Sequence, residues 1–335
     1  MTTRFWPIVG LCACLNSATA NESADTARID QPYRTGSFST LYEPSGITAM
    51  HDGSFLVVDD EYRTALQRID VPENSDDSEL IFQETALALG DGLIQRQLIG
   101  RLDDLEGAAR GLNDRLYIIG SHNDAYKGKL SSRQKLVSFS IGAQGTENVL
   151  TKNSVAKSLR NRYPALAEKY RSSRQDRDNA LNIEALAFDR KRDRLLIGLR
   201  SPRIDSSAIV VSLLNPTEFM QPDAQPDWAE SIWTLDLDKG GLRAMAYDDR
   251  SDSFIVVSQR ETGKKKRFKC WVIAADGSSA PRRVKSKKKK LFANVEGVVS
   301  TPEGILFVRD DGKRKKKQGA SWFLLHREQL GLNNS

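Results

Sequence analysis

The sequence predicts an all-β fold, a β-propeller of repeated strand hairpins around a central channel. Two observations carry this reading. A hairpin pattern recurs five times along the 335 residues, and each copy holds a small residue at the same place. Recurrence at a spacing of tens of residues marks a fold made of stacked units. Each copy opens with a short apolar run, passes a polar turn and enters a second β-rich run that ends in polar residues.

The first copy runs from Pro44 through the turn His51-Asp52-Gly53 to Asp59-Asp60-Glu61. The second runs from Leu105 through Asn113-Asp114 to Gly120-Ser121-His122. The third runs from Asn182 to Leu199-Arg200-Ser201, the fourth from Leu242 to Ser258 and the fifth from Asn294 to Asp310. Gly46, Gly107, Ala185, Ala244 and Gly297 align, at spacings of 61, 78, 59 and 53 residues. A four-stranded blade takes about 40 to 50 residues, so each spacing is one blade plus its loops. The small residue suits the innermost strand, where backbones crowd around the channel. Runs such as Ala208–Val211 and Cys270–Ile273 supply the outer strands.

The longest spacing contains a stretch rich in Lys, Arg, Ala and Leu at residues 152–181. Its Leu159, Tyr163, Leu166 and Tyr170 fall at helical spacing, which predicts a helical insertion between the second and third blades. The last copy reaches only a third strand, Ser321–Leu325. The run Ser37–Tyr42 is then expected as its fourth, closing the ring. Five blades are visible, and the length leaves room for a sixth, degenerate one. A pair of β-sandwiches is the other all-β arrangement of this size, and the repeated hairpin argues against it. One propeller domain is expected over residues 33–328, as a monomer.

Residues 1–20 read as a signal peptide. Arg4 supplies the charge, Phe5–Leu15 the apolar stretch, and Ala18-Thr19-Ala20 the small residues that a signal peptidase reads. Leu11-Cys12-Ala13-Cys14 loosely matches a lipobox, so lipidation at Cys14 is the alternative processing. Either route predicts a periplasmic or secreted protein. Cleavage removes Cys12 and Cys14 and leaves Cys270 alone, so no disulfide framework is expected. Within Phe268–Val272, Cys270 reads as a small buried hydrophobe. No other apolar run approaches the roughly 18 residues that cross a bilayer.

The formal charge is +6, or +5 without Arg4, and its distribution says more than its size. With strands A to D numbered outward from the channel, the start of strand A and the end of strand B meet on one face, beside the channel mouth. Strand A starts carry Glu106, Glu184, Arg243 and Glu296 at equivalent positions. Strand B ends carry Asp59, Asp60, Glu61, His122, Arg200, Arg260, Asp310 and Asp311. The opposite face carries ordinary turn residues.

Carboxylates that converge on one axis repel, and desolvation adds to the cost. They need a cation, a basic partner or shared protons. Oxygen ligands suit calcium, and Glu106, Glu184, Glu296, Asp60 and Asp310 are the candidate ligands. Arg243 offers another solution, an Arg–Glu network that holds the ring closed. Both readings stay open. His122 and Glu184 are the candidate catalytic residues, His122 because imidazole titrates near neutrality. The sequence offers no readable Ser-His-Asp triad, zinc-spaced His or Cys pair, phosphate-binding glycine loop or dinucleotide fingerprint.

Three basic runs, Lys264–Arg267, Lys287–Lys290 and Lys313–Lys317, fall in connections on the same face as the glutamates. Such a sector attracts anions toward the channel. The expected partners are an anionic small molecule or an anionic envelope polymer. Nucleic acid is not expected, since no aromatic platform is interleaved with the lysines.

Several motifs resemble a bacterial β-propeller family without an assigned activity, related to the phytase-like and esterase-like propellers. They are Pro44-Ser45-Gly46-Ile47, Asp104-Leu105-Glu106-Gly107, Gly120-Ser121-His122 with Gly128-Lys129, Leu181-Asn182-Ile183-Glu184 and Ile197–Pro202. The chain departs from the pattern with Ala185 where Gly usually follows Glu, and with its lysine-rich loops. The wider phytase-like group implies calcium-assisted phosphoester hydrolysis, with Lys129, Arg200 and Arg243 holding phosphate. Two functions follow as expectations. One is a calcium-dependent hydrolase of anionic esters at the channel mouth. The other is a non-catalytic propeller that binds a polyanion or protein partner through its lysine loops.

Overall fold

A computed structural model describes residues 28–59, 66–70, 83–86, 102–123, 130–142, 145–166, 180–262 and 265–332. The expected leader at residues 1–20, with Cys12 and Cys14, lies outside the described residues. Five four-stranded antiparallel sheets form a five-bladed propeller. Blade 1 contains β2 (Pro44–Ala49), β3 (Phe55–Asp59), β4 (Leu66–Asp70) and β5 (Gln83–Ala86). Blade 2 contains β6 (Leu105–Arg110), β7 (Leu116–Gly120), β8 (Leu136–Gly142) and β9 (Gly145–Lys152). Blade 3 contains β10 (Asn182–Asp189), β11 (Arg194–Ile204), β12 (Ser207–Leu213) and β13 (Trp233–Leu235). Blade 4 contains β14 (Gly241–Asp248), β15 (Ser253–Thr262), β16 (Lys265–Ala274) and β17 (Arg282–Arg283). Blade 5 contains β18 (Val295–Ser300), β19 (Ile305–Arg309) and β20 (Ser321–Leu325), with β1 (Arg34–Ser37) as its outer strand. Among the described residues there is no sixth blade.

Period-two alternation explains why the middle strands are apolar throughout. Successive residues of a strand point to opposite faces, and each blade is covered on both faces by its neighbours. Along β11, Leu195, Ile197 and Leu199 pack toward blade 2 with Ile119 and Leu136, while Leu196 packs toward blade 4 with Met245 and Phe254. The buried core thus divides into five clusters, one at each junction of neighbouring blades. Cys270 lies in the cluster between blades 4 and 5. It is fully buried, and burial pushes its thiol pKa well up, as its apolar neighbours predict.

The ring closes because chain start and chain end share one sheet. β1 pairs with β20 in the register Arg34↔Leu324 to Ser37↔Ser321. The closing strand therefore ends where the sequence reading placed its start. Residues 38–42 are not in the ladder. Phe38 and Leu41 turn inward and fill the junction of blades 5 and 1 instead, which accounts for their strand-like apolar signature.

The helical insertion is present as α2 (Val155–Arg162), after a short α1 (Leu130–Arg133) and before a short α3 (Pro216–Phe219). Its Val155, Ala156 and Leu159, with Tyr163 and Leu166 beyond it, join the cluster between blades 2 and 3. Two hydrogen bonds fix it there: Trp228 Nε1 donates to Ser158 Oγ (3.2 Å) and Tyr163 Oη to the Ala229 carbonyl (2.7 Å). Tyr170 lies outside the described residues. Among the described residues no helix is long and apolar enough to cross a membrane.

The aligned small residues sit where innermost strands touch. A β-carbon added at Gly46 would stand 2.9 Å from Gly107 Cα, and one at Gly107 would stand 2.8 Å from Leu186 Cβ. Any side chain here forces adjacent blades apart. Gly46→Ala is expected to lower stability by about 1–3 kcal/mol, the usual penalty of overpacking. Urea denaturation would measure it. A neutral substitution would show that the inner strands are not in close contact.

Candidate functional site at the channel mouth

One irregularity recurs in every blade. The ladder between strands A and B skips a single strand A residue: Ser45, Glu106, Glu184, Arg243 and Glu296 in turn. A bulge of this kind re-aims a side chain. Glu106, Glu184 and Glu296 thereby line one level of the channel, just above the aligned small residues. The equivalence of the four charged positions holds. Ser45 is the fifth member, which a search for charged groups passes over. Its hydroxyl donates to the carbonyl of Leu105 in the next blade (2.5 Å).

The charged members are joined in an alternating chain. Glu184, 2% exposed, accepts on Oε1 from Asn182 Nδ2 and from Arg200 Nη1, each at 2.7 Å. Its Oε2 accepts from Arg243 Nη1 in blade 4, and Arg243 Nη2 pairs with Glu296 Oε1 in blade 5. On the other side, Arg200 Nη2 donates to Glu261 Oε1 (2.6 Å), which also accepts from Gln259 Nε2 (2.6 Å). The order Glu261–Arg200–Glu184–Arg243–Glu296 ties three consecutive blades together. Burial works against the Arg200 charge, but pairing with Glu184 and Glu261 outweighs it and carries the pKa above its ordinary value. Arg200 is itself skipped on the strand B side of a second irregularity in the same ladder, which aims it at Glu184. Asn182, Gln259 and Glu261 were not legible as members. Their signal is a polar residue one or two places from a bulge.

Arginine therefore neutralises Glu184 and Glu296. Both oxygens of Glu184 and one of Glu296 are engaged. Among the described residues no three His, Cys, Asp or Glu side chains stand together as a metal-holding group. Of the expected calcium ligands, Glu184 and Glu296 are engaged by arginine in place of an ion. Asp60 and Lys129 lie outside the described residues. Asp310 stands one residue beyond β19, away from the channel level of the three glutamates; its N–H donates to the Asn294 carbonyl (2.8 Å).

His122 is fully buried. Its Nδ1 lies 2.8 Å from the Gly120 carbonyl. A carbonyl can only accept, so Nδ1 carries the hydrogen and Nε2 the lone pair. Nε2 is buried without a hydrogen-bond partner among the described residues. Burial is the main cause that pushes the imidazole pKa down to about 4, with the charge of Arg160 acting in the same direction. The ring is neutral at neutral pH. Ser121 beside it bonds the Asp104 carboxylate, which also accepts from Arg133 Nη1 (2.7 Å). Serine, aspartate and histidine are thus not linked in a relay.

The basic runs occupy this same face. Lys265–Arg267 lie at the tip of the β15–β16 hairpin, Lys287–Lys290 precede β18, and Lys313–Lys317 join β19 to β20. All are exposed. Lys287 pairs with exposed Asp30 (2.7 Å) and Arg314 stands 4.0 Å from Asp59.

Two outcomes are expected from this geometry. Glu184→Gln removes the charge that holds Arg200 and one of the two carboxylates that hold buried Arg243, and should cost about 3 kcal/mol. The double change with Arg243→Met should recover at least half of that, read from urea midpoints. If Glu184 were one of several mutually repelling carboxylates, the single change would be neutral or stabilising. For His122, the folded pKa lies below the unfolded value of about 6.5. Its neutral form therefore contributes stability that is complete above that value and is lost as pH falls toward about 4. The loss should be on the order of 2 kcal/mol by pH 5. His122→Asn, whose side chain tolerates the left-handed backbone there (φ 53°), should flatten the acid slope of stability. An unchanged slope would mean that His122 is not the buried neutral group.

No family model matches the chain, and no curated protein matches it. Solved structures resemble it distantly. The PQQ domain of a pyranose dehydrogenase from Coprinopsis cinerea is 10% identical, with 88% of this chain and 98% of that one covered and a TM-score of 0.44. The major allergen Mala s 1 of Malassezia sympodialis is 8% identical, with 85% and 93% covered and a TM-score of 0.43. A luciferin-regenerating enzyme is 10% identical, with 91% and 98% covered and a TM-score of 0.41. No functional statement about this chain follows from likenesses at this level.

Proposed function

We propose that this protein is a binding propeller whose channel-mouth face, across blades 4 and 5, recognises an anionic polymer. The observation that carries the reading is the contrast between two sets of charges on that face. Glu184 and Glu296 of the ring are held by arginines, whereas among the described residues most of the exposed cations on the three loops form no ion pair. Uncompensated cations on neighbouring loops raise the local potential and favour a ligand with several negative groups. Exposed cations of this kind act additively and weaken with salt.

A flexible polymer fits better than a lipid surface. Interfacial binding wants apolar side chains beside the cations. Among the described residues the exposed large hydrophobics are Tyr33 and Leu214. Both stand at strand ends on the opposite face, Tyr33 before β1 and Leu214 after β12. A calcium-dependent ester hydrolase is the competing reading. It requires Glu184 and Glu296 to exchange arginine for a metal ion.

Purified protein is expected to bind labelled polyphosphate, with affinity falling steeply between low and physiological salt. Changing Lys313, Lys315, Lys316 and Lys317 to Gln should weaken binding by roughly tenfold or more and reduce the salt dependence. Phosphate release from a panel of esters, with calcium or with chelator, should stay at background. Salt-insensitive binding, or calcium-dependent turnover lost in Glu184→Gln, would overturn the proposal.

A further inference from the structure

Within the basic sector one cation is unlike the others. Arg309 ends β19 and is half-buried. Its guanidinium lies over the Phe323 ring, 4.5 Å from the centroid. Nη1 donates to Ser321 Oγ (3.0 Å) and Nη2 to the Leu291 carbonyl (2.9 Å). Nε is buried and has no hydrogen-bond partner among the described residues, and no carboxylate there pairs with this side chain. Asp311 is the nearby acid, but it accepts from the Ser321 N–H (2.7 Å) and hydroxyl (2.6 Å). Burial pulls the Arg309 pKa down and the distant Asp311 charge only partly offsets it.

A guanidinium removed from water without a counter-ion is costly. Here the cost coincides with a recess. Arg309 lines it together with Lys288, Lys290, Thr35, Ser37 and Ser321, and Trp322 forms an apolar wall. The recess lies between the outer strands of blade 5 and the connection that leads into β18. It opens on the channel-mouth face, because β1 ends and β20 begins there. Three cations and the hydroxyls of Thr35 and Ser37 around one opening match a tetrahedral oxyanion, whose oxygens accept from guanidinium, ammonium and hydroxyl donors together, while the Ser321 hydroxyl is committed to Asp311. A planar carboxylate would use fewer of these donors.

We infer that this recess is a specific anchor for a phosphate or sulfate group, and that in the polymer-binding reading, on which this rests, it seats one such group while the lysine loops hold the rest of the chain. Loop lysines supply nonspecific attraction, and Arg309 supplies the preference for tetrahedral groups.

The test compares wild type, Arg309→Gln and the loop variant described above, each checked for folding by circular dichroism. The probes are polyphosphate, polyglutamate and inorganic phosphate at constant ionic strength, with Trp322 near the recess as a fluorescence reporter. Arg309→Gln is expected to weaken polyphosphate at least about tenfold and polyglutamate less than about twofold. The loop variant should weaken both polymers alike. Should Arg309→Gln fail to fold, Thr35→Val with Ser37→Ala, which removes recess hydroxyls at exposed positions without changing charge, takes its place, with a loss expected for polyphosphate and none for polyglutamate. Equal loss for both polymers, or no loss for either, overturns the anchor and leaves the polymer-binding reading standing. If wild type ignores both polymers yet inorganic phosphate binds and Arg309→Gln abolishes it, the anchor stands as a small-anion site and the polymer reading fails. If wild type responds to none of the three probes, both fail.

Discussion

Everything in this molecule depends on how closely five innermost strands can approach one axis. Gly46 and Gly107 touch across the first junction because neither carries a side chain. The same crowding cannot continue to the top of the channel, where larger residues begin. Each A–B ladder skips one residue at that level. The five bulged residues are thus a geometric consequence of the ring. Their chemistry is what the sequence is free to choose. This chain chooses a hydroxyl, three carboxylates and a guanidinium.

That choice creates a problem of charge, and arginine resolves it. Buried carboxylates without partners are expensive, and a paired network is acceptable only when its members are satisfied. Glu184 is satisfied on both oxygens, from its own blade by Asn182 and Arg200 and from the next by Arg243. The same solution recurs on the opposite face. Asp189 there is held by Arg192 and Arg194, and Asp248 by Arg327. Carboxylate–arginine links inside and between blades are a general device of this chain. The channel-mouth network reads as a clamp on blades 3 to 5 that leaves the surrounding lysines as the groups available to a ligand.

The fold was legible because its signals are repetitive. Alternating apolar runs, polar turns and one aligned small residue recur whatever the loops between them do. The ring positions were legible for the same reason, since each lies one place before the small residue. Ser45 obeys that rule as well, but a hydroxyl gives no signal in a search for charge. The partners were harder. Whether Glu184 faces a metal or an arginine depends on the bulge that turns Arg200 inward, and pairing register is not written in composition. His122 stands among Gly120, Ser121 and Asn123, a polar stretch that reads as exposed loop. Its burial comes from elements distant in sequence, including the N–H bond to the Arg133 carbonyl (3.2 Å). Arg309 was hidden for a similar reason: at the end of an apolar strand it reads as one more surface cation. Its lack of a carboxylate partner among the described residues arises only when β20, β1 and the connection before β18 are brought around it.

The central claim is that the ligand lies on the channel-mouth face of blades 4 and 5. Hydrogen–deuterium exchange with and without polyphosphate tests it most directly. Protection confined to residues 35–37, 265–267, 287–290 and 309–321, with the turns at Asp52-Gly53 and Asp248-Asp249 unchanged, is the predicted result. Protection centred on those opposite-face turns, or no protection under conditions of saturating polymer, would contradict it.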